Sequence, residues 1–373
     1  MSKYSLEDLK EKYAEFSSPC YAVKINDKEI NQQYCKGGLT IELSAKYEAS
    51  GCSFTISNAF LKDSDTKLKI ADDLKKLIKL GNKVEAYIGY RAGGAESVFT
   101  GYIDSIDLDY DKNDGILYTV ECLDAKGIMM NSLRSETKVS MKKYSEAVEN
   151  TIKKYSSLVK INNTNLDKSD PELTTLIEQH NESDYDFVVR LAKKMDYCFF
   201  IEKGSLIFKP FSKLSKENFF QFDINYYMLE FKMTSSLKNQ VSSVTVRANN
   251  EKDPTAPFEA KANSPKSLAD GSNVNKKTAS IITSDVSQTI IDLTTDSMEK
   301  AKKLAQARLN LLSYRLYSGS VKTMGVPELL PGYTAQVVGF GDAFDKKYFI
   351  SKVIHKIRND KFTTECKLEG NLL

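Results

Sequence analysis

Residues 182–201 change period in mid-course, and that change limits what the chain can become. Ser183 is followed three positions later by Asp186, the spacing of a capping box, in which side chains satisfy orphan backbone donors at a helix start. Phe187, Leu191 and Met195 recur every four residues, so one helical stripe is apolar and Phe187 belongs to its buried side. Asp186 and Arg190 stand four apart with the acid first, the favourable order for a helical ion pair. Beyond Asp196 the pattern becomes aromatic and β-branched through 197–201. It is broken by Lys203-Gly204 and resumes at Leu206, Ile207 and Phe208. The stretch predicts a short helix delivering the chain into a β-hairpin.

Around it the chain is mostly β. Ser5 to Asp8 open a short amphipathic helix bearing Leu6, Leu9, Tyr13 and Phe16, either a packing helix or an arm reaching a neighbour. Strand patterns follow at 21–25, 39–43 and 53–56, a helix around Leu74 to Leu80, and three more strands at 83–90, 97–106 and 116–123. Gly101 inside the second of these marks a bulge or tight bend. Helical patterns dominate 126–225, including 145–156. Strands return at 226–233 and 241–246, and a long helix is predicted over 297–317. Residues 249–280 lack a sustained period and hold Pro254, Pro257 and Pro265, three of eight prolines. They read as a long exposed insertion, with 241–246 and 287–293 pairing as strands beneath it. The class is mixed α+β, mainly β.

At 373 residues the chain is long enough for two or three domains with cores of their own. Its 53 basic and 50 acidic residues leave a net charge of +3, which gives no footprint for specific nucleic-acid binding. No apolar run approaches the roughly 20 residues that span a bilayer, so no membrane partner is expected. The first residues show no secretory signal. Cys20, Cys35, Cys52, Cys122, Cys198 and Cys366 are scattered without a CxxC pair, and with only His180 and His355 a zinc site is not expected.

Nor does a catalytic set emerge. Ser140 and Lys143 have a Ser-x-x-Lys spacing but lack its companion motifs, and Gly339-Phe340-Gly341 lacks the third glycine of a dinucleotide loop. Asp104, Asp107, Asp109, Asp111 and Asp114 form an acidic run without the loop pattern of a calcium site, and read as outward carboxylates on a strand and its turn. His355 in a β pattern reads as a hydrogen-bonded structural residue. The expectation is therefore no catalytic, cofactor or metal residues.

Two blocks carry a resemblance. Glu182, Ser183, Asp184, Phe187, Arg190 and Leu191, followed by a strand, resemble a signature of the phage late control protein D and type VI spike (VgrG) families. Gly325-x-Pro327, then Pro331-Gly332, then a strand ending in His355, is similar to the same families' closing barrel. The chain departs from the signature at Lys193, Lys194 and Asp196, where the family runs acidic and then places glycine. The resemblance implies two small antiparallel β-barrel domains joined by a helix-containing domain. Residues 1–17 would form an N-terminal helix or arm, 18–125 the first barrel and 126–225 the helical and hairpin link. Residues 226–373 would form the second barrel, with the insertion 249–280 and the helix 297–317.

It also implies a structural baseplate hub of a contractile phage tail, tailocin or related injection system. Such a hub is a homotrimeric ring that adapts the sixfold tail tube to a trimeric spike. Its partners would be its own copies, the spike protein, the tail tube protein and other baseplate proteins. It would be made in the bacterial cytoplasm and assembled into the particle. The competing functions are a tail-associated cell-wall-degrading enzyme, disfavoured by the two histidines and the missing motifs, and a receptor- or carbohydrate-binding module, disfavoured by the absence of Trp.

Overall fold

The computed structural model describes residues 4–372 except 32–33, 35–36, 58–59, 63–67, 112–114, 138–139, 174–175, 215–217, 251–252, 254 and 270–285. Its α-helices are α1 (Leu6–Lys12), α2 (Asp72–Leu77), α3 (Ala125–Met130), α4 (Tyr144–Lys153), α5 (Asp184–Met195) and α6 (Met298–Ser313). Apart from a 3-10 turn at Phe211–Lys213, the rest of the regular structure among the described residues is β, as the alternating patterns require.

Most of the strands expected to make two barrels belong to one branched sheet of 14 strands, while Ser243–Ala248 and Ser287–Asp292 stand in a separate three-stranded sheet. The N-terminal part runs, in spatial order, Leu39–Ser44, Gly51–Ile56, Gly115–Leu123, Gly94–Asp111, Lys83–Tyr90, Pro19–Ile25 and Lys28–Glu29. The C-terminal part holds Asn218–Asp223, Thr334–Val338 and Lys347–Arg358, with Lys361–Gly370, Tyr317–Met324 and Met228–Ser235 branching from the last of these. The halves are joined where Lys347–Arg358 pairs antiparallel with Leu39–Ser44, setting His355 opposite Ile41. One apolar core runs through both, from Val23, Ile41 and Phe54 to Val321, Val353 and Leu368. Gly101 sits where the long strand Gly94–Asp111 crosses the end of Gly115–Leu123. A Cβ there would lie 2.2 Å from the Leu123 carbonyl oxygen, so only glycine permits the approach.

Helix α1 packs on its own chain. Leu6, Leu9, Tyr13 and Phe16 are buried in the main core, and the Tyr13 ring lies 4.9 Å from that of Tyr90. Tyr13 Oη donates to Glu328, and Lys12 pairs with the same carboxylate.

The insertion needs a correction. Ser243–Ala248 and Ser287–Asp292 do pair, in parallel, as their patterns suggested. The segment between them does not simply loop out: Phe258–Ala262 adds antiparallel to the other side of Ser243–Ala248. The alternation is Phe-Glu-Ala-Lys-Ala, and Ala260 and Ala262 pack against Ala301 and Ala305 of α6. Alanines bury little area, so their period two is faint in the sequence, yet small side chains let the helix lie close to the sheet. Ser267, Leu268 and Ala269 are buried as well, with the Leu268 amide donating to Asn371. The expectation for 270–280 lies outside the described residues.

Candidate functional site

The conspicuous motif builds a junction. Ser183 caps α5: its Oγ accepts from the Asp186 amide at 2.9 Å, satisfying one of the orphan donors of the first turn. Phe187 and Leu191 are fully buried among α3, α4 and the hairpin made by Tyr197–Glu202 and Ser205–Pro210. Asp184 is also fully buried. Its carboxylate receives Tyr155 Oη at 2.8 Å, Gln179 Nε2 at 3.1 Å and Arg134 Nε at 3.1 Å, with Lys154 at 3.6 Å. Burial alone would raise its pKa; the donors from Gln179 and Tyr155 with the nearby cations outweigh it and hold the group below the usual carboxylate range.

Arg190 does not pair with Asp186. Asp186 is taken by the Ser183 hydroxyl, at 2.7 Å. Arg190 instead grips Glu182, with Nη2 at 2.5 Å and Nε at 3.2 Å, and donates to the Glu178 carbonyl at 2.8 Å. It ties the strand Glu178–Glu182 to the helix it precedes.

The closing block is packed as tightly. A Cβ on Gly325 would fall 2.0 Å from the Phe362 ring, and its carbonyl accepts from Tyr90 Oη. Pro327 and Pro331 are buried, and Gly332 takes φ +93°, a left-handed conformation that favours glycine. His355 is buried, with Nδ1 2.9 Å from Thr364 Oγ1, and burial pushes its pKa down to about 3 from 6.5. The structure therefore gathers Glu182, Ser183, Asp184, Phe187, Arg190 and Leu191 in one place, and Gly325 and His355 around Phe362 and Thr364 in another.

Because the folded pKa of His355 is depressed, its neutral form favours folding fully above pH 6.5, and that stability is lost as pH falls toward 3. His355→Gln, which does not titrate there, should close its stability gap to the wild type by up to about 1.4 kcal/mol per pH unit below 6.5. Urea melts at a series of pH values check this; a constant gap would show that the imidazole is not held neutral.

A cavity that the sequence did not announce opens beside α5. It has a volume of about 340 Å³ and is lined by the end of α5, the loop 169–173, the end of the hairpin, Lys266 and the inward face of α6. At its floor is Asp196, which ends α5 in the left-handed conformation (φ 57°) where the resembled signature places glycine. Its Oδ2 accepts from Asn310 Nδ2 at 2.6 Å and Tyr314 Oη at 2.7 Å. Its Oδ1 is buried with no hydrogen-bond partner among the described residues. Burial drives this carboxyl up to about 7, against the opposing donors Asn310 and Tyr314. The visible signal was the departure from glycine; the partners come from α6, more than a hundred residues away. Among the described residues no group of His, Cys, Asp and Glu is arranged to hold a metal ion, and no helix is long and apolar enough to cross a membrane.

This architecture is shared with proteins of phage tails and injection machines. The structure is similar to the 43 kDa tail protein of prophage MuSo2 from Shewanella oneidensis, with a TM-score of 0.68 and 16% identity over 94% of this chain and 98% of that one. It is similar to a tail protein from Neisseria meningitidis MC58, with a TM-score of 0.67 and 13% identity over 94% and 96% of the two chains. A component of the type VI secretion system of E. coli, itself structurally similar to T4 bacteriophage tail proteins, gives a TM-score of 0.54 at 12% identity, covering 93% and 76%. The chain belongs to the Alg8 N-terminal domain family, whose model matches residues 20–359. No curated protein matches the sequence.

Proposed function

We propose that the protein is a structural component of a phage tail or related injection machine, serving as the baseplate hub: a homotrimeric ring between the sixfold tube and a trimeric spike. The observation that carries this reading is the fold shared with the Shewanella tail protein over nearly the whole of both chains, which leaves little of this chain for a separate catalytic domain. The late control protein D and VgrG resemblance of the two motif blocks points the same way. In this reading the motif residues shape the subunit and do no chemistry. Subunit contact would draw on exposed apolar side chains such as Ile291, 70% exposed on the edge strand Ser287–Asp292, and Leu293, 73% exposed just after it.

A ring of three follows when a head-to-tail interface closes. Light scattering of the protein co-expressed with a tube protein and a spike protein from the same source should give a species holding three copies. A monomer or a twofold dimer under those conditions would overturn the reading. So would release of soluble fragments from bacterial cell wall that one point substitution abolishes.

A further inference from the structure

We infer that the cavity between α5 and α6 is a docking site for an acidic peptide segment of a partner protein, one that inserts a large apolar side chain. Four features select that ligand. The walls are apolar, made by Leu173, Met195, Leu304 and Ala307. The volume of about 340 Å³ suits a large side chain with its neighbouring backbone. The exposed rim is basic: Lys266 is exposed, the Lys303 side chain is 52% exposed, and the Lys213 side chain, paired with Asp167, is 50% exposed. Among the described residues Lys303 pairs with Glu299, one turn away and itself 71% exposed, so an incoming carboxylate can take its place at small cost. The floor is polar: Asp196 lines it, and its Oδ1 is buried with no hydrogen-bond partner among the described residues.

A free anion would satisfy the rim and leave the walls and floor unused. A basic ligand would meet the lysines first. A segment with carboxylates flanking an apolar anchor matches rim, walls and floor together, and charge complementarity of this kind sets both selection and on-rate.

The test uses the full chain and a fluorescein-labelled peptide, acetyl-Asp-Glu-Leu-Phe-Glu-Asp-amide, followed by fluorescence anisotropy. Saturable binding is expected, weakening several-fold between about 50 and 300 mM salt. The double variant Lys266→Glu with Lys303→Glu changes two surface side chains, so its melting temperature should stay unchanged while affinity falls at least about tenfold. A peptide with lysine in place of each acid should not bind, nor one with glycine in place of Leu-Phe. No saturable binding by the wild type would overturn the inference. So would equal binding of the basic peptide, equal binding of the glycine peptide, or a folded double variant of unchanged affinity.

Discussion

Replacing Phe187 with alanine should lower the unfolding free energy by about 3–5 kcal/mol. The side chain is fully buried where α3, α4, α5 and the hairpin meet, with Val148, Ile152, Phe199 and Phe208 in the same core. Those elements come from three separate stretches of chain, so they have little freedom to collapse into the space left behind, and the cavity cost adds to the lost transfer energy. The neighbouring charged residue supplies the control. The Arg190 side chain is 41% exposed and its partner Glu182 is 17% exposed. Arg190→Ala removes a partly screened pair and should cost only about 0.2–1 kcal/mol. Urea melts of the two variants, with slopes equal to that of the wild type, decide the ranking. If Arg190→Ala proved the costlier change, charge and not packing would organise this junction.

The contrast also shows what kind of information the sequence carried. The helix start was legible because a cap depends on residues three apart, and the apolar stripe because helical period is local. The partner of Arg190 was not. Asp186 had the right spacing, but Ser183 already used it, and the strand entering the helix brings Glu182 within reach instead. Spacing reports which groups can meet on an ideal helix; it does not report which of them is already occupied.

The same limit explains the other differences. Phe258–Ala262 was missed because its buried positions are mostly alanines, whose apolar signal is weak until a helix is known to lie against them. The cavity was invisible because its lining is contributed by segments from Tyr144 to Asn310, each of which looks like an ordinary amphipathic or loop residue in isolation. Asp196 alone left a trace, as a non-glycine in a place where the resembled families bend the chain. That trace marks a backbone geometry and says nothing of Asn310 and Tyr314, which hold its carboxylate. The two halves of the strand pattern were readable separately. Their fusion into one sheet rests on a pairing between residues about three hundred positions apart, which no local period encodes.

Asp124→Ala should be as damaging as the loss of Phe187, about 3–5 kcal/mol, although nothing in the pattern Leu-Asp-Ala-Lys distinguishes it from a solvated turn. Asp124 is 1% exposed and performs three tasks at once. Its Oδ1 accepts from the Lys126 amide at 2.9 Å, capping α3, and its Oδ2 accepts from the Ser50 amide at 2.9 Å. The same carboxylate lies 3.8 Å from the ammonium of Lys126, which is wholly buried, donates to the Glu48 carbonyl and sits 5.6 Å from the centre of the Phe199 ring. Burial works against charge on both partners, pushing the carboxyl up and the ammonium down, and the attraction between them opposes both shifts. Removing the acid strands a buried cation and two backbone donors together. Removing the base is a different matter: Lys126→Met exchanges a buried ammonium for an apolar chain of similar length, and such replacements are often neutral. Asp124 would then keep its two amide donors and could accept a proton. The expected result in denaturant melts is therefore strongly asymmetric, with Asp124→Ala costing several kcal/mol and Lys126→Met costing less than about 2 kcal/mol. Equal costs for the two substitutions would show that the pair stabilises by its attraction. The asymmetric outcome assigns the stability to the capping and bridging hydrogen bonds, with the lysine there mainly because the carboxylate is.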